Sequence, residues 1–206
     1  MSGFEPLFKS IGNSLLGYKK SLNLYNEIQS ITHLEGNTAE IGIFQGITTK
    51  LIHSLMPDRT HYAYDTFCGI QGSDPTEDIH KNGEFSCSLT TVKSNINMEG
   101  ILYRVGYFPE TFNKEIEGKD SFVFVHSDTD TYIGTKTTLE HFAPLIVKGG
   151  KILFDDYDWV NCPGVKKAVS EFINVNSDFD IKIFDNSYHH PLDNTCINQC
   201  SLTKKY

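Results

Sequence analysis

Carboxylates and glycines stand in this chain at positions where they could bind ligands. The stretch TAEIGIFQG, residues 38–46, places Glu40, Gly42 and Gly46 in an apolar run directly before a helical pattern. Glycines let the main chain approach a ligand closely, and the start of a helix offers free N–H groups. The stretch therefore predicts the first strand-to-helix turn of a domain that binds a nucleotide-type ligand.

Four aspartates follow two later apolar runs. Asp128 and Asp130 occur in HSDTDTY, and Asp155 and Asp156 occur in ILFDDYD. Oxygen ligands of this kind bind hard cations such as Mg²⁺. Asp128 could instead cap the following helix, although Asp130 is the better capping candidate because the helix is predicted from residue 131. The second pair of aspartates favours a cation site that includes Asp128.

Asp65 ends the second predicted strand, HYAYDTF, nineteen residues after Gly46. In a mononucleotide-binding βαβ unit, an acid at this position accepts hydrogen bonds from both ribose hydroxyls. Three residues separate Gly42 from Gly46, which differs from the dinucleotide pattern G-x-G-x-x-G. A nicotinamide cofactor is therefore disfavoured.

Composition limits the class of protein and its partners. The 206 residues fit one domain with its own core, and a net charge of −8 disfavours a nucleic-acid partner. The five cysteines are scattered and odd in number, which indicates a reducing compartment. The sequence has neither a signal-peptide pattern nor an apolar run long enough to span a membrane. We expect a cytoplasmic protein without a membrane partner.

Strand and helix patterns alternate along most of the chain. Apolar runs predict strands at residues 38–43, 61–67, 101–108, 122–126 and 151–154. Helical patterns follow these strands at residues 47–55, 89–97, 109–116, 131–146 and 165–172. Two further strand-like runs, residues 181–184 and 196–202, have no helix between them. The order predicts a parallel sheet that ends in an antiparallel hairpin, in a single α/β domain.

Two segments outside this alternation could contact the ligands. Residues 5–31 have a helical apolar stripe that Gly12 and Gly17 weaken, so we expect one or two helices that cap the sheet, form a lid or make a homo-oligomer contact. Residues 68–87 form a long polar loop at the ligand face. His80 in this loop could activate or orient an acceptor, or it could be ordinary polar surface. Phe85 and Trp159 could form walls of an acceptor pocket or simply pack.

An ordered series of motifs resembles the class I S-adenosylmethionine-dependent methyltransferases, and more narrowly the macrocin-type sugar O-methyltransferases of macrolide biosynthesis. The resemblance covers residues 38–172. The matching motifs are E-x-G-x-x-x-G (Glu40, Gly42, Gly46), D-[ST]-F-x-G (Asp65, Thr66, Phe67, Gly69), G-x-F-x-[DE]-T (Gly106, Phe108, Glu110, Thr111), D-x-D-x-Y (Asp128, Asp130, Tyr132), G-G-x-I-x-x-D-D-Y (Gly149 to Tyr157) and P-x-x-x-x-A-V-x-E-F (Pro163 to Phe172).

The resemblance implies a fold, two cofactors and a set of site residues. The fold is a Rossmann-like α/β sheet of seven strands, mostly parallel with an antiparallel last strand, and with helices on both faces. S-adenosylmethionine would bind at Glu40, Gly42, Ile43, Phe44, Gly46, Thr48, Asp65, Thr66 and Gly106. Magnesium would bind at Asp128, Asp155 and Asp156, with Asp128 also the general base and His80 a second catalytic candidate. Where that family has an arginine before the first metal aspartate, this chain has His126.

The implied reaction is the methylation of a hydroxyl group of a small, sugar-like acceptor. A hydroxyl keeps its proton at neutral pH, and a bound divalent cation together with a nearby carboxylate would remove this obstacle. Three alternatives stay open at this point. The acceptor could be a catechol-like diol, the chain could be a non-catalytic module that binds the donor, or the aspartates could belong to a metal-dependent hydrolase. His189 and His190 lack an acid or cysteine at ligand spacing, so they indicate nickel or zinc only weakly.

Overall fold

The computed structural model describes residues 3–12, 15–185 and 198–206. The helices in this part of the chain are α1 (Phe4–Ile11), α2 (Gly17–Gln29), α3 (Ile47–Leu55), α4 (Leu89–Ile96), α5 (Tyr132–Phe142) and α6 (Pro163–Val175). The strands are β1 (Asn37–Ile41), β2 (His61–Asp65), β3 (Ile101–Val105), β4 (Phe122–Ser127), β5 (Ile146–Phe154), β6 (Phe179–Phe184) and β7 (Gln199–Lys204). Short 3₁₀ turns occur at Glu117–Lys119 and Ala143–Leu145.

All seven strands form one sheet in the order β3-β2-β1-β4-β5-β7-β6. The strands β3, β2, β1, β4 and β5 pair in parallel, whereas β7 lies antiparallel between β5 and β6. This arrangement confirms the predicted Rossmann-like sheet with an antiparallel last strand. The chain reverses its direction of strand addition between β1 and β4, and ligands of such sheets bind at the carboxyl ends of the strands beside this point.

Helices cover both faces of the sheet because its strands alternate apolar side chains between two cores. In β5, Ile152 and Phe154 pack with residues of α5 and α6. Leu153 lies between them in sequence and packs with residues of α1, α2 and α3 on the other face. Helix α4 packs on Ala63 of β2, on the same face as α3. The sheet is therefore the middle layer of three, in agreement with the helices on both faces that the resemblance implies.

The helix predicted for residues 109–116 does not form. A single turn follows Phe108, in which the N–H of Thr111 donates to the carbonyl of Tyr107 at 3.1 Å. The N–H of Asn113, which would continue a helix, donates instead to the carboxylate of Glu117. Because the side chain of Glu117 also pairs with Arg104, it is held where it competes for that N–H group. The prediction was wrong because this competing acceptor lies outside the local apolar pattern.

The N-terminal segment forms two helices: α1 ends directly before Gly12, and α2 begins at Gly17. The predicted apolar stripe, which in α2 includes Tyr18 and Tyr25, does not face the core: Tyr18 is exposed and Tyr25 is only half-buried. The buried face of α2 contains Lys20, Glu27 and apolar residues such as Leu24. Two charged residues on the inner face make α2 an unusual core helix, because charges are rarely buried unless they are paired.

Three further sequence predictions concern membrane spans, the cysteines and the histidine-containing turn near residue 190. Within the described ranges, no helix combines the length and apolar composition needed to cross a bilayer. Cys68, Cys87, Cys162 and Cys200 are free thiols in the structure. Cys196, the predicted start of the last strand, and the turn with His189 and His190 lie outside the described residues.

Candidate active site

The glycine-rich turn after β1 brings the main chain close to β4. Gly42 has a φ of 81°, and its N–H donates to the carbonyl of Tyr64 at 3.0 Å. A Cβ atom at this position would lie 2.0 Å from the carbonyl oxygen of Asp128, so no other amino acid fits without movement of the main chain. Gly46 also has a φ of 81° and precedes α3. The turn therefore has the shape that the glycines predict.

Asp65 fixes this turn from the end of β2. Its carboxylate accepts the N–H groups of Ile43 at 2.8 Å, Phe44 at 3.1 Å and Phe67 at 2.7 Å. An ionised carboxylate offers about four acceptor positions, so these contacts leave capacity for a ligand hydroxyl. The hydroxyl of Thr66 is used locally and donates to the carbonyl of Gly69 at 2.7 Å. Asp65 holds the glycine turn and borders the cavity described below.

Glu40 points away from that cavity and into the core. It is fully buried, accepts a hydrogen bond from Thr49 of α3, and lies 3.0 Å from Nδ1 of His126 in β4. Burial opposes protonation of His126, but the Glu40 carboxylate outweighs it and raises the pKa of this histidine. Glu40 therefore joins β1, α3 and β4 beneath the glycine turn. In this position it supports the turn without lining the cavity.

The four predicted aspartates converge at the carboxyl ends of β4 and β5. One carboxylate oxygen from each of Asp128, Asp155 and Asp156 falls within a group whose members are all within 4.8 Å of one another. Asp130 and Cys162 form a second such group with Asp156. The pKa of Asp128 is raised well above its ordinary value, first by burial and then by the charges of Asp155 and Asp130. The positive groups around these carboxylates therefore do not balance their negative charge.

Lys20 of α2 supplies a positive charge to this cluster that the sequence patterns did not predict. Its Nζ lies 2.8 Å from Oδ2 of Asp155 and 2.5 Å from Oδ1 of Asp156. Gln199 of β7 donates to the other oxygen of Asp155 at 2.8 Å. A signal was present in the sequence, because Lys20 precedes Leu24 and Ile28 at intervals of four, on one face of a helix. The predicted apolar stripe by itself indicated that a different face of α2 packs against the core.

One cavity of about 390 Å³ connects the glycine turn with the aspartate cluster. Its volume is within the usual range for small-molecule sites. Aromatic side chains form much of its wall: Phe44, Tyr64, Phe85, Tyr107, Phe108 and Trp159. Of the predicted site residues, those that line it are Gly42, Phe44, Asp65, Thr66, Gly106, Asp128, Asp155 and Asp156. Glu40, Ile43, Gly46, Thr48 and His80 are not among its lining residues.

The loop at residues 68–87 folds over one side of the cavity. It is closed by mutual main-chain hydrogen bonds, from Ile70 to Glu84 and from Gly83 to Ile70, each of 2.9 Å. Asp78 connects it to the start of α5 by accepting the N–H of Tyr132 at 2.8 Å. These contacts hold the loop in an ordered position beside the cavity.

His80 lies behind the aromatic wall and not on its inner surface. Its ring centroid is 5.2 Å from that of Phe85 and 5.5 Å from that of Trp159. Its Nδ1 is 2.8 Å from a carboxylate oxygen of Glu84. Phe85 and Trp159 themselves line the cavity, so His80 contacts its wall from outside. A catalytic role for His80 stays a prediction.

The arrangement fits the two groups that the sequence suggests. The close approach at Gly42 and the carboxylate of Asp65 suit the ribose and methionine parts of a nucleoside ligand. Three aspartate oxygens in one group suit a hard divalent cation, which prefers oxygen ligands. Because both groups of residues border one cavity, a donor and an acceptor could meet between them.

Comparisons with known proteins give a consistent result. The family model described as Macrocin-O-methyltransferase (TylF) matches residues 6–186 of the chain. Demethyldecarbamoylnovobiocin O-methyltransferase of Streptomyces niveus is 25% identical over 187 residues, which cover 82% of this chain and 70% of that protein. The 8-demethyl-8-(2,3-dimethoxy-α-L-rhamnosyl)-tetracenomycin-C 4′-O-methyltransferase of Streptomyces olivaceus is 23% identical over 168 residues. That match covers 72% of this chain and 64% of the relative's length.

The fold is also found among solved structures. The structure of the O-methyltransferase NovP superposes with a TM-score of 0.73 at 21% sequence identity. The superposition covers 94% of this chain and 82% of that one. Agreement of this extent supports the same sheet and helix arrangement.

Proposed function

This chain belongs to the macrocin-O-methyltransferase (TylF) family, and we propose that it transfers the methyl group of S-adenosylmethionine to a hydroxyl of a sugar or similar polyol. The acceptor would be part of a natural product or a glycan precursor. One observation supports the proposal above all others: the glycine turn with Asp65 and the aspartate cluster line the same cavity. A donor site and an acceptor site must adjoin in this way for direct transfer.

The curated relatives support the choice of acceptor class. The name of the Streptomyces niveus relative describes O-methylation of demethyldecarbamoylnovobiocin. The name of the Streptomyces olivaceus relative describes methylation of a compound with a rhamnosyl group. Because this chain spans 70% and 64% of these proteins, we transfer only the coarse acceptor class, a hydroxyl group on a sugar-like compound.

We assign the donor site to the carboxyl ends of β1 and β2. S-adenosylmethionine would supply an electrophilic methyl group there. The main chain at Gly42 permits close approach of the ligand, and Asp65 would accept a hydrogen bond from a ribose hydroxyl while it holds the N–H groups of Ile43 and Phe44. The ring of Phe44 adds an apolar surface to the cavity. Glu40 acts indirectly, since it fixes β1 against α3 and β4.

We assign the acceptor site to the aspartate cluster. Magnesium bound by Asp128, Asp155 and Asp156 would lower the pKa of the acceptor hydroxyl and restrict its orientation. The carboxylate of Asp128 would take the hydroxyl proton. The aromatic side chains of Phe85, Tyr107 and Trp159 would exclude water and position the acceptor ring.

The first test is calorimetric titration of the whole chain with S-adenosylmethionine and S-adenosylhomocysteine, each with and without Mg²⁺. We expect micromolar binding of both ligands. Transfer of a labelled methyl group would then be measured with sugars, nucleotide sugars, glycosylated natural products and a catechol. Transfer to glycosides supports the proposal, and transfer to the catechol alone contradicts the acceptor class. Cation binding without binding of either donor ligand would contradict the methyltransferase assignment and favour a hydrolase.

A further inference from the structure

We propose that Lys20 is the resident counterion of the aspartate cluster and that a divalent cation binds Asp155 and Asp156 by displacing its ammonium group. The inference rests on the proposed function in taking Mg²⁺ as the cation of this site. It assigns a role to the N-terminal helix α2, which the motifs of residues 38–172 do not include. Lys20 would be a positioning residue that sets the affinity of the site for its metal.

The position of Lys20 is that of a bound cation. Only 5% of this residue is exposed, although it lies in the first turn of α2 and also borders the cavity. Its Nζ contacts Oδ2 of Asp155 at 2.8 Å and Oδ1 of Asp156 at 2.5 Å. Mg²⁺ binds carboxylate oxygens at about 2.0–2.1 Å and repels a neighbouring ammonium. A metal ion that used these two oxygens would occupy the space of Nζ.

Gln199, the other side chain that contacts the carboxylate of Asp155, is less free to move than Lys20. Gln199 is fully buried in β7 and donates to Oδ1 of Asp155, while its own Oε1 accepts a hydrogen bond from Asn23 at 3.0 Å. Both carboxylate oxygens of Asp155 are therefore engaged before any metal binds. Lys20 has a long flexible stem next to a cavity, whereas the Gln199 amide is fixed at both ends. Lys20 is thus the partner that a metal would displace.

The charges at the site favour the exchange. The ammonium group of Lys20 pairs with Asp155 and Asp156, whereas Asp128 and Asp130 lie in the same groups of acidic side chains without contacting it. One oxygen each of Asp130 and Asp156 belongs to a group whose members lie within 4.8 Å of one another, which indicates how closely the carboxylates approach. A divalent cation compensates more of this charge than a single ammonium does. The aspartates would therefore prefer the metal once it is available.

The rest of α2 has its own attachment to the sheet. Glu27, in the last turn of the helix, accepts hydrogen bonds from Lys151 at 2.5 Å, Lys182 at 2.8 Å and Ser201 at 3.1 Å. These contacts lie apart from the aspartates and do not depend on Lys20. We therefore expect the exchange to release the Lys20 side chain while the end of α2 stays in place.

The first experiment is titration of the whole chain with Mg²⁺ alone, for the wild type, Lys20→Met and Lys20→Arg. Removing the competing charge should tighten Mg²⁺ binding at least about tenfold in Lys20→Met, while Lys20→Arg keeps the charge and should bind no more tightly than the wild type. Equal affinities for all three proteins would overturn the proposal. Titration of each protein with S-adenosylhomocysteine in parallel tests the donor site separately, so failure of the proposed function would be recognised independently.

The second experiment uses the wild-type protein and so does not depend on the folding of a variant. Amine acetylation followed by mass spectrometry would compare Lys20 with Lys151, which is also paired with a carboxylate. We expect Mg²⁺ to raise the acetylation of Lys20 several-fold and to leave Lys151 unchanged. Protection of Lys20 at saturating Mg²⁺ would overturn the exchange, and so would an equal rise at both lysines, which would indicate general loosening.

Discussion

A Cβ atom on Gly42 would lie 2.0 Å from the carbonyl oxygen of Asp128. The same two segments are also joined by a hydrogen bond of 2.9 Å from the N–H of Asp128 to the carbonyl of Ile41. The turn assigned to the donor and the strand end assigned to the cation are therefore in direct main-chain contact. A displacement of the main chain in one segment should therefore displace the other.

Gly42→Ala should damage both sites and lower the free energy of unfolding by about 2–5 kcal/mol, because a clash adds to an unfavourable φ. Gly83→Ala is the matched control, since Gly83 has a φ of 90° and a Cβ atom added there would meet nothing within 4 Å. The control should lose only about 1–2 kcal/mol. Denaturant unfolding and titration with S-adenosylhomocysteine measure both effects. Equal losses in the two variants would contradict the importance of the Gly42–Asp128 contact.

Asp65→Ala should weaken donor binding about 10- to 100-fold, equivalent to about 1–3 kcal/mol. The substitution removes the acceptor of three main-chain N–H groups as well as the proposed ribose contact. Calorimetry with S-adenosylmethionine measures the affinity, and thermal unfolding measures the structural part of the effect. Asp178→Asn, at an exposed aspartate before β6, is a control that should bind normally. Unchanged affinity in Asp65→Ala would remove this residue from the donor site.

Asp128→Asn should reduce the rate of methyl transfer at saturating Mg²⁺ by at least about 100-fold, the usual effect of losing a general base. Donor binding should persist, because the contacts of Asp65 with the glycine turn are retained. Asp156→Asn should weaken Mg²⁺ binding as well as transfer. Asp158→Asn alters an exposed aspartate next to the cluster and should keep the wild-type rate. Wild-type rates in both cluster variants would rule out the metal-assisted reaction.

Stability should fall in mild acid because of His61 in β2. This histidine is fully buried, with Nδ1 at 2.9 Å from the hydroxyl of Thr38, and burial followed by the charges of His53 and His126 lowers its pKa from 6.5 to about 3. Below pH 6.5 the unfolded chain binds a proton that the folded chain does not, so stability is lost as pH falls towards 3. The loss from this residue should be about 1.4 kcal/mol per pH unit, or about 2 kcal/mol at pH 5.

Comparison with His61→Gln isolates this contribution. Urea unfolding between about pH 7 and pH 4.5 should show a shallower loss of stability in the variant, whatever its stability at neutral pH. Curves that stay parallel over this range would mean that His61 titrates alike in the folded and unfolded chains, contrary to the expectation from its burial.

Much of the fold could be predicted from sequence because it depends on local patterns. The buried runs of β4 and β5, the glycines after β1 and the break between α1 and α2 reflect contacts within a few residues. The helix expected at residues 109–116 failed for the opposite reason. There, an acceptor on Glu117, held by Arg104 of β3, takes the N–H of Asn113 that a helix would need.

The site residues divide in a similar way. Motif spacing correctly brought Asp128, Asp155 and Asp156 together, since the carboxyl ends of adjacent parallel strands meet at one edge of a sheet. The motif places Glu40 two residues before Gly42, but it did not indicate whether the Glu40 side chain faces the ligand or the core. Strand alternation directs Glu40 into the core, where Thr49 and His126 pair with it.

Apart from the helix expected at residues 109–116, the sequence by itself determined the succession of strands and helices along the chain, the glycine turn and the supply of carboxylates, because these follow from residue type and short-range spacing. Only the tertiary structure decided which charge faces those carboxylates. Lys20 reaches Asp155 across 135 positions of sequence, through the packing of α2 on the sheet. Helix α2 packs on the sheet through the face that contains Lys20 and Glu27, because residues of opposite charge pair with both side chains there. The apolar spacing of Leu24 and Ile28 is compatible with this face, but it does not indicate that charged residues on the same face would be buried.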